Sequence, residues 1–189
     1  MEPGTDAEDW ALVLGGDGEA FGRIFDRHKE PVRRQVRRLL PGRQADAEDA
    51  LAVVFLEAWR KRARVRVVQG SLLPWLLVTA NNVARNSRRS RLRYEALLAR
   101  LPEPSGAADP AVLADEEGVL SALRRLSLAD QQVLTLCLLE GWSERDAAAA
   151  LSIAPGTVKS RLHRAKQRLA QRVGQPAAPL TESGVPDGA

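Results

Sequence analysis

The run Pro155-Gly156-Thr157-Val158-Lys159-Ser160-Arg161-Leu162-His163-Arg164-Ala165-Lys166 has the composition of a surface that bonds nucleic acid. On a helix, Val158, Leu162, Ala165 and Leu169 recur at helical spacing and form one apolar stripe. The other faces carry Thr157, Lys159, Ser160, Arg161, His163, Arg164 and Lys166, all hydrogen-bonding or cationic. Guanidinium and ammonium groups pair with phosphates, and guanidinium and hydroxyl groups also bond base edges. Pro155 and Gly156 open this stretch, where the free amides of a helix N-terminus suit a phosphate.

A second basic stretch lies between residues 60 and 93. Asn81, Arg85 and Arg88 fall on one helical line, and Asn82, Asn86, Arg89 and Arg93 on the next. Amides and guanidiniums together can bond bases as well as phosphates. A solvated helix end has the same composition, so this helix alone leaves both readings open. Before it runs a basic loop with Arg64, Arg66 and Ser71. Trp75 heads the helix, where an indole either stacks on an unpaired base or joins the core.

Catalytic chemistry finds little support. The two histidines, His28 and His163, sit on charged stretches without metal-ligand spacing, so no metal or cofactor is expected. Cys137 falls in an apolar helix, the setting of a small buried residue, and a lone cysteine allows no intrachain disulfide. Gly15-Gly16-Asp17-Gly18 lacks the lysine and strand of a phosphate loop. No apolar run reaches the roughly 20 residues of a membrane span. The first residues lack the order of a secretory signal, so a cytoplasmic location is expected. Acids gather apart from the cations, at Asp46-Glu48-Asp49 and Asp115-Glu116-Glu117. Separate surfaces of opposite sign suit at least two kinds of partner.

The elements that must position these groups are helical throughout. Phe21, Ile24, Phe25, Val32, Val36, Leu39 and Leu40 share one face, with Pro31 expected to bend or interrupt the helix. Asp46 is expected to cap a second helix that carries Ala50, Leu51, Val54, Phe55, Ala58 and Trp59. Pro74 suits the first turn of a third, running to about Arg93. The stretch LPEPSGAADP marks a linker. Beyond it, residues 113–126 are expected to be helical, and Ser127 to cap a helix that Gly141 ends. Ser143 with Asp146 starts a short helix over 144–151, followed by the turn 152–156 and the basic helix. A short helix, a tight turn and a basic amphipathic helix make a helix-turn-helix. The alanines at 147–150 let the two helices pack closely.

These parts resemble the extracytoplasmic-function group of bacterial sigma factors over about residues 20–172. The resemblance is carried by Asp46-Ala47-Glu48-Asp49-Ala50-Leu51, Phe55, Ala58-Trp59, Trp75-Leu76 and Ala80-Asn81-Asn82. In the C-terminal half it is carried by Leu126, Gln131, Val133-Leu134, Leu136, Glu140-Gly141, Ser143, Ala147, Leu151 and the unbroken run Gly156 to Ala165. It implies an all-α fold of two small helical domains joined by a flexible linker. Residues 1–18 would be a tail and 19–99 a domain like sigma region 2. Residues 100–112 would be the linker, 113–173 a domain like sigma region 4, and 174–189 a disordered tail.

The resemblance also implies the mechanism of an alternative sigma factor, which is not an enzyme. It would bind core RNA polymerase at its clamp and flap, recognise −10 and −35 promoter elements and assist melting. Asp46, Glu48, Asp49, Phe55 and Trp59 would lie on or support the clamp-binding helix. Arg64, Arg66, Ser71, Trp75, Asn81, Asn82, Arg85, Asn86, Arg88 and Arg89 would serve the −10 element, the loop from Arg64 to Leu73 holding an unstacked base. Pro155, Gly156, Thr157, Lys159, Ser160, Arg161, His163, Arg164 and Lys166 would face the −35 element. Many relatives are held inactive by an anti-sigma protein, which brings in a third candidate partner. The chain departs from the common pattern at three places: Val53-Val54 where relatives carry a polar or acidic pair, Asn81-Asn82 after Ala80 where Ala-Arg-Asn is common, and Ser152 in place of a turn glycine. The alternative is a two-domain helix-turn-helix regulator. Its sensing half would need a phosphoacceptor fold or ligand pocket, and no alternating strand–helix pattern supplies one.

Overall fold

The computed structural model describes residues 5–98 and 118–173, and among them every regular element is helical. The linker 100–112, the first part of the expected helix over 113–117 and the tail 174–189 lie outside the described residues.

Residues 6–14 are a helix, α1 (Asp6–Leu14), where the sequence reading expects a tail. Thr5 and Glu8 form a capping box: the Thr5 hydroxyl accepts from the Glu8 amide and the Glu8 carboxylate accepts from the Thr5 amide. Trp10 and Val13, three residues apart, drive one side of α1 into the core. Asp17 caps α2 (Gly18–Leu39) by accepting the Glu19 and Ala20 amides. Pro31 does not interrupt α2: the helix runs unbroken, with Val32 and Val36 fully buried beyond the ring. Arg43, not Asp46, is the cap residue of α3 (Gln44–Arg60), and Asp46 pairs with the Arg43 guanidinium at 3.0 Å from the first turn.

A short 3₁₀ turn over Arg62–Arg64 leads into a tight reversal. There Val68 and Ser71 exchange backbone hydrogen bonds of 2.9 and 3.0 Å, with Gln69 and Gly70 at φ +48° and +73°. α4 (Leu73–Leu98) follows, with Pro74 in its first turn as expected. These four helices enclose a core built on Ile24, Val32, Val36, Leu51, Val54, Phe55 and Leu76. Phe55 meets Phe21 and Phe25 edge-on, at 6.3 and 4.7 Å between ring centroids.

The C-terminal half holds α5 (Val119–Arg124), α6 (Leu128–Leu134), α7 (Glu144–Leu151) and α8 (Pro155–Val173). Ser127 caps α6 and Ser143 caps α7, each accepting the amide three residues on. α6 runs on into one π-type turn over Thr135–Leu139. Ser152 ends α7 in the left-handed region at φ +57°.

The two halves touch. Val68 and Leu77 of the N-terminal half join the core of Leu123, Val133, Leu134, Leu136, Val158 and Leu162. Buried polar groups cross the seam: Gln35 Nε2 donates to Thr135 Oγ1 at 3.0 Å and Asn81 Nδ2 to the same oxygen at 3.4 Å. Around them Arg38 pairs with Glu140 at 3.3 Å, and Gln69 Nε2 donates to Asp146 Oδ2 at 2.6 Å.

Candidate nucleic-acid interface

The division of α8 matches the apolar stripe read from its sequence. Val158 and Ala165 are fully buried, Leu162 nearly so, and Leu169 is half-buried. Of the nine residues expected to face DNA here, Pro155, Gly156, Lys159, Ser160, His163, Arg164 and Lys166 are exposed, and Thr157 and Arg161 half-buried. α8 begins at Pro155, two residues earlier than the turn suggests, because a proline at the first helical position gives up no hydrogen bond. Arg164 Nε donates to the Ser160 carbonyl at 3.2 Å, which sets its guanidinium along the outer face. Arg168 is drawn back to α6 by Asp130 at 2.7 Å.

The −10 set is split. Arg85, Asn86, Arg88 and Arg89 are exposed on α4, and Arg64 and Arg66 on the loop before it. Ser71 and Trp75 are half-buried, the indole resting against the N-terminal core. Asn81 is not on this surface: it is 1% exposed, donating to the Leu77 carbonyl at 3.0 Å and accepting from Gln35 Nε2 at 3.3 Å. Asn82 is half-buried and accepts from Gln132 Nε2 at 3.1 Å. Both asparagines face the C-terminal half because they lie beside Leu77 and Ala84 on the line of α4 that packs inward.

The basic surface extends past α4. A cavity of about 330 Å³ opens at the seam, with Arg85, Arg88 and Arg89 on one wall and Arg124, Arg125 and Arg172 on the other. Arg88 also donates to the Arg124 carbonyl at 2.9 Å. The C-terminal arginines are too far from α4 in the chain for any local pattern to join them to it.

The acidic helix α3 separates into supporting and outward residues. Phe55 is 3% exposed and Trp59 half-buried under the Arg62 guanidinium, so both build the core side. Glu48 is held by Arg33 and Arg37 at 3.0 and 3.2 Å, and its hydrogen bond with Arg33 keeps its carboxyl below the usual range. Asp46 is half-buried, while Asp49 is exposed. Asp49, Val53, Leu56 and Arg60 recur at helical spacing and all face outward, with Val53 42% and Leu56 54% exposed. Val53 and Leu56 were missed as surface residues, although a core face of Ala50, Leu51, Val54 and Ala58 leaves them nowhere else to point.

Cys137 is half-buried, and burial pushes its thiol above the ordinary value, against a nucleophilic role. Among the described residues no cluster of metal-ligating side chains occurs, and no helix is long and apolar enough to cross a membrane.

Two family models match the chain along most of its length. Residues 24–94 match the family described as sigma-70 region 2, and residues 116–169 that described as sigma-70, region 4. RNA polymerase sigma factor CarQ of Myxococcus xanthus is 31% identical over 167 residues, spanning 85% of this chain and 92% of its own. ECF RNA polymerase sigma factor SigM of Mycobacterium tuberculosis is 32% identical over 173 residues, 90% of this chain and 85% of its own. Among solved structures, the sigma factor RpoE of Bartonella quintana, in complex with the anti-sigma factor NepR, superposes with a TM-score of 0.55 at 27% identity. That match covers 81% of this chain and 96% of RpoE. CnrH, in complex with the cytosolic domain of CnrY, gives a TM-score of 0.60 at 24% identity over 88% of this chain and 95% of its own, a likeness of fold.

Proposed function

The chain belongs to the extracytoplasmic-function group of the sigma-70 family of RNA polymerase sigma factors, and from that premise we propose how its surfaces divide the work of initiation. Sigma factors perform no catalysis; they act by binding core RNA polymerase and promoter DNA. The outward stripe of α3, with Asp49, Val53 and Leu56, docks on the polymerase clamp. α8 enters the major groove of the −35 element, its outer residues reaching base edges and phosphates. The exposed arginines of α4 hold the −10 backbone. The loop with Arg64, Arg66 and Ser71, beside Trp75, receives an unstacked base of the non-template strand. Unstacking one base costs a few kcal/mol, which its capture offsets. The NepR-bound RpoE structure supports an anti-sigma protein as a further partner.

The observation that carries the reading is α8: an apolar stripe packed inward through Val158, Leu162 and Ala165, backed by an outer face on which Lys159, Ser160, His163, Arg164 and Lys166 are cationic or hydrogen-bonding. The test is transcription with purified core polymerase on promoters selected from a random library. Specific initiation with no other initiation factor is expected; selected DNA that is bound but never transcribed would refute the reading. Within that assay Asp49→Arg should abolish co-purification with core polymerase while leaving −35 duplex binding by the free chain intact. Normal retention on the polymerase would remove the α3 assignment.

A further inference from the structure

Asp6 lies on α1, far in sequence from every DNA-facing group, yet its carboxylate reaches the loop before α4. Its side chain is 3% exposed. Oδ1 accepts from Arg27 Nη1 at 2.5 Å. Oδ2 accepts from His28 Nε2 at 2.6 Å and from the backbone amide of Leu72 at 2.7 Å. An ionised carboxylate only accepts, so the ring nitrogen of His28 facing it carries the proton.

The Leu72 amide is a special place to hold. Leu72 stands just before the first helical residue of α4, where backbone amides have no partner within the helix. On its other side sits the tight reversal of Val68 to Ser71, and the Ser71 hydroxyl accepts the Leu73 amide at 3.1 Å. A bond to Leu72 therefore fixes the stem on which Ser71 and Trp75 stand. Asp9, one turn further along α1, offers a natural contrast. It pairs with Arg23 and Arg27, each at 2.8 Å, and docks α1 on α2 without reaching the loop.

We propose that Asp6 is a positioning residue for capture of the −10 strand: by holding the Leu72 amide it sets Ser71 and Trp75 against Arg64 and Arg66, and it does not itself touch DNA. The proposal rests on the reading of the loop as the base-capturing element. It gives α1 a role beyond packing. Both carboxylates anchor the helix, and only one of them transmits that anchorage to the loop. Asparagine at position 6 has nearly the same shape but loses the charge and keeps a single acceptor oxygen, too little to hold Arg27, His28 and the Leu72 amide together.

The experiment uses the full chain assembled with core polymerase. Affinity is measured for a single-stranded non-template −10 oligonucleotide and, separately, for a −35 duplex; exchange of the Leu72 amide is followed in the free protein. Asp6→Asn is expected to weaken single-strand binding about tenfold, a loss in the range of one charge-assisted hydrogen bond. It should also speed Leu72 exchange and leave −35 binding unchanged. Asp9→Asn should leave single-strand binding unchanged. Equal losses in the two variants would reduce Asp6 to a docking residue and overturn the proposal. So would unchanged single-strand binding in Asp6→Asn when Arg66→Ala weakens it. If Arg66→Ala and Ser71→Ala are both without effect, the loop reading itself fails and the proposal falls with it. Should Asp6→Asn fail to fold, Asp6→Glu decides on the same terms, since it keeps the charge beside Arg27 and displaces the oxygen from Leu72.

Discussion

Arg161 and Arg164 occupy the outer side of α8 in different states, and the difference predicts different losses. Arg161 is half-buried, whereas Arg164 is exposed and its Nε donates to the Ser160 carbonyl. Replacing either by alanine should weaken −35 binding. A lost base contact costs about 1–3 kcal/mol and relaxes sequence preference at one position. A lost phosphate contact weakens all sequences alike and lowers the salt dependence by about one counterion. Fluorescence anisotropy against matched and mismatched duplexes over a salt series separates the two, and unchanged binding in both variants would reverse the orientation assigned to α8. Asp6 predicts a pH effect at the same scale. Burial raises its carboxyl, but the bonds from His28, Leu72 and Arg27 outweigh this and lower it from 3.8 to about 2. The unfolded chain therefore binds that proton more tightly than the folded one. The stabilisation is complete above about pH 4 and is lost as pH falls through about 2. Asp6→Asn should flatten acid unfolding in that window, read by helical circular dichroism, while its effect at neutral pH persists; an unaltered acid transition would contradict the assignment.

At the scale of elements, Ser152 is the clearest strained position. It closes α7 at φ +57°, a conformation in which glycine has no Cβ penalty. Ser152→Gly should stabilise the C-terminal half by about 0.5 kcal/mol, the left-handed penalty partly cancelled by glycine's greater chain entropy. Urea unfolding would show it, and a loss of stability would mean that Ser152 makes a compensating contact. Its strain was half visible in the sequence, as a serine standing where the resembling family turns on glycine. The helices themselves were legible wherever one apolar stripe recurs, as in α3 and α8, because local period alone decides which side packs. α1 was missed although Thr5 and Glu8 have capping-box spacing; with nine residues, its burial depends on Arg23, Arg27 and His28 of α2. Asn81 is buried for a related reason. The period puts it in line with Leu77 and Ala84, but a side chain amide there reads as surface until its distant partners Gln35 and Thr135 are known.

At the scale of the whole molecule, the seam sets a condition on promoter binding. Elements centred near −10 and −35 lie about 25 base pairs apart, roughly 85 Å at 3.4 Å each. A compact chain of 189 residues has a radius of gyration of only about 16 Å. If one chain reads both elements as proposed, the packed halves cannot reach them together, and the arrangement that buries Asn81 would belong to the free chain and open on the polymerase. The seam is suited to opening. Val68 and Leu77 enter the C-terminal core with Leu73 and Val78 packed beside them, and much of the rest is polar. Polar groups are satisfied when buried and are rehydrated at little cost when exposed. Thr135 is its weakest point, since one hydroxyl accepts from both Gln35 and Asn81. Thr135→Val keeps the shape but strips two buried donors of that acceptor, at about 1–3 kcal/mol for each left unsatisfied. Dyes placed by Glu19→Cys and Ala170→Cys, with Cys137→Ser to remove the native thiol, would report the separation by energy transfer. Transfer should be efficient in the free chain, fall when core polymerase is added, and fall without polymerase in Thr135→Val. Transfer that stays constant on the polymerase would mean the halves never part, and one chain could not then contact both promoter elements.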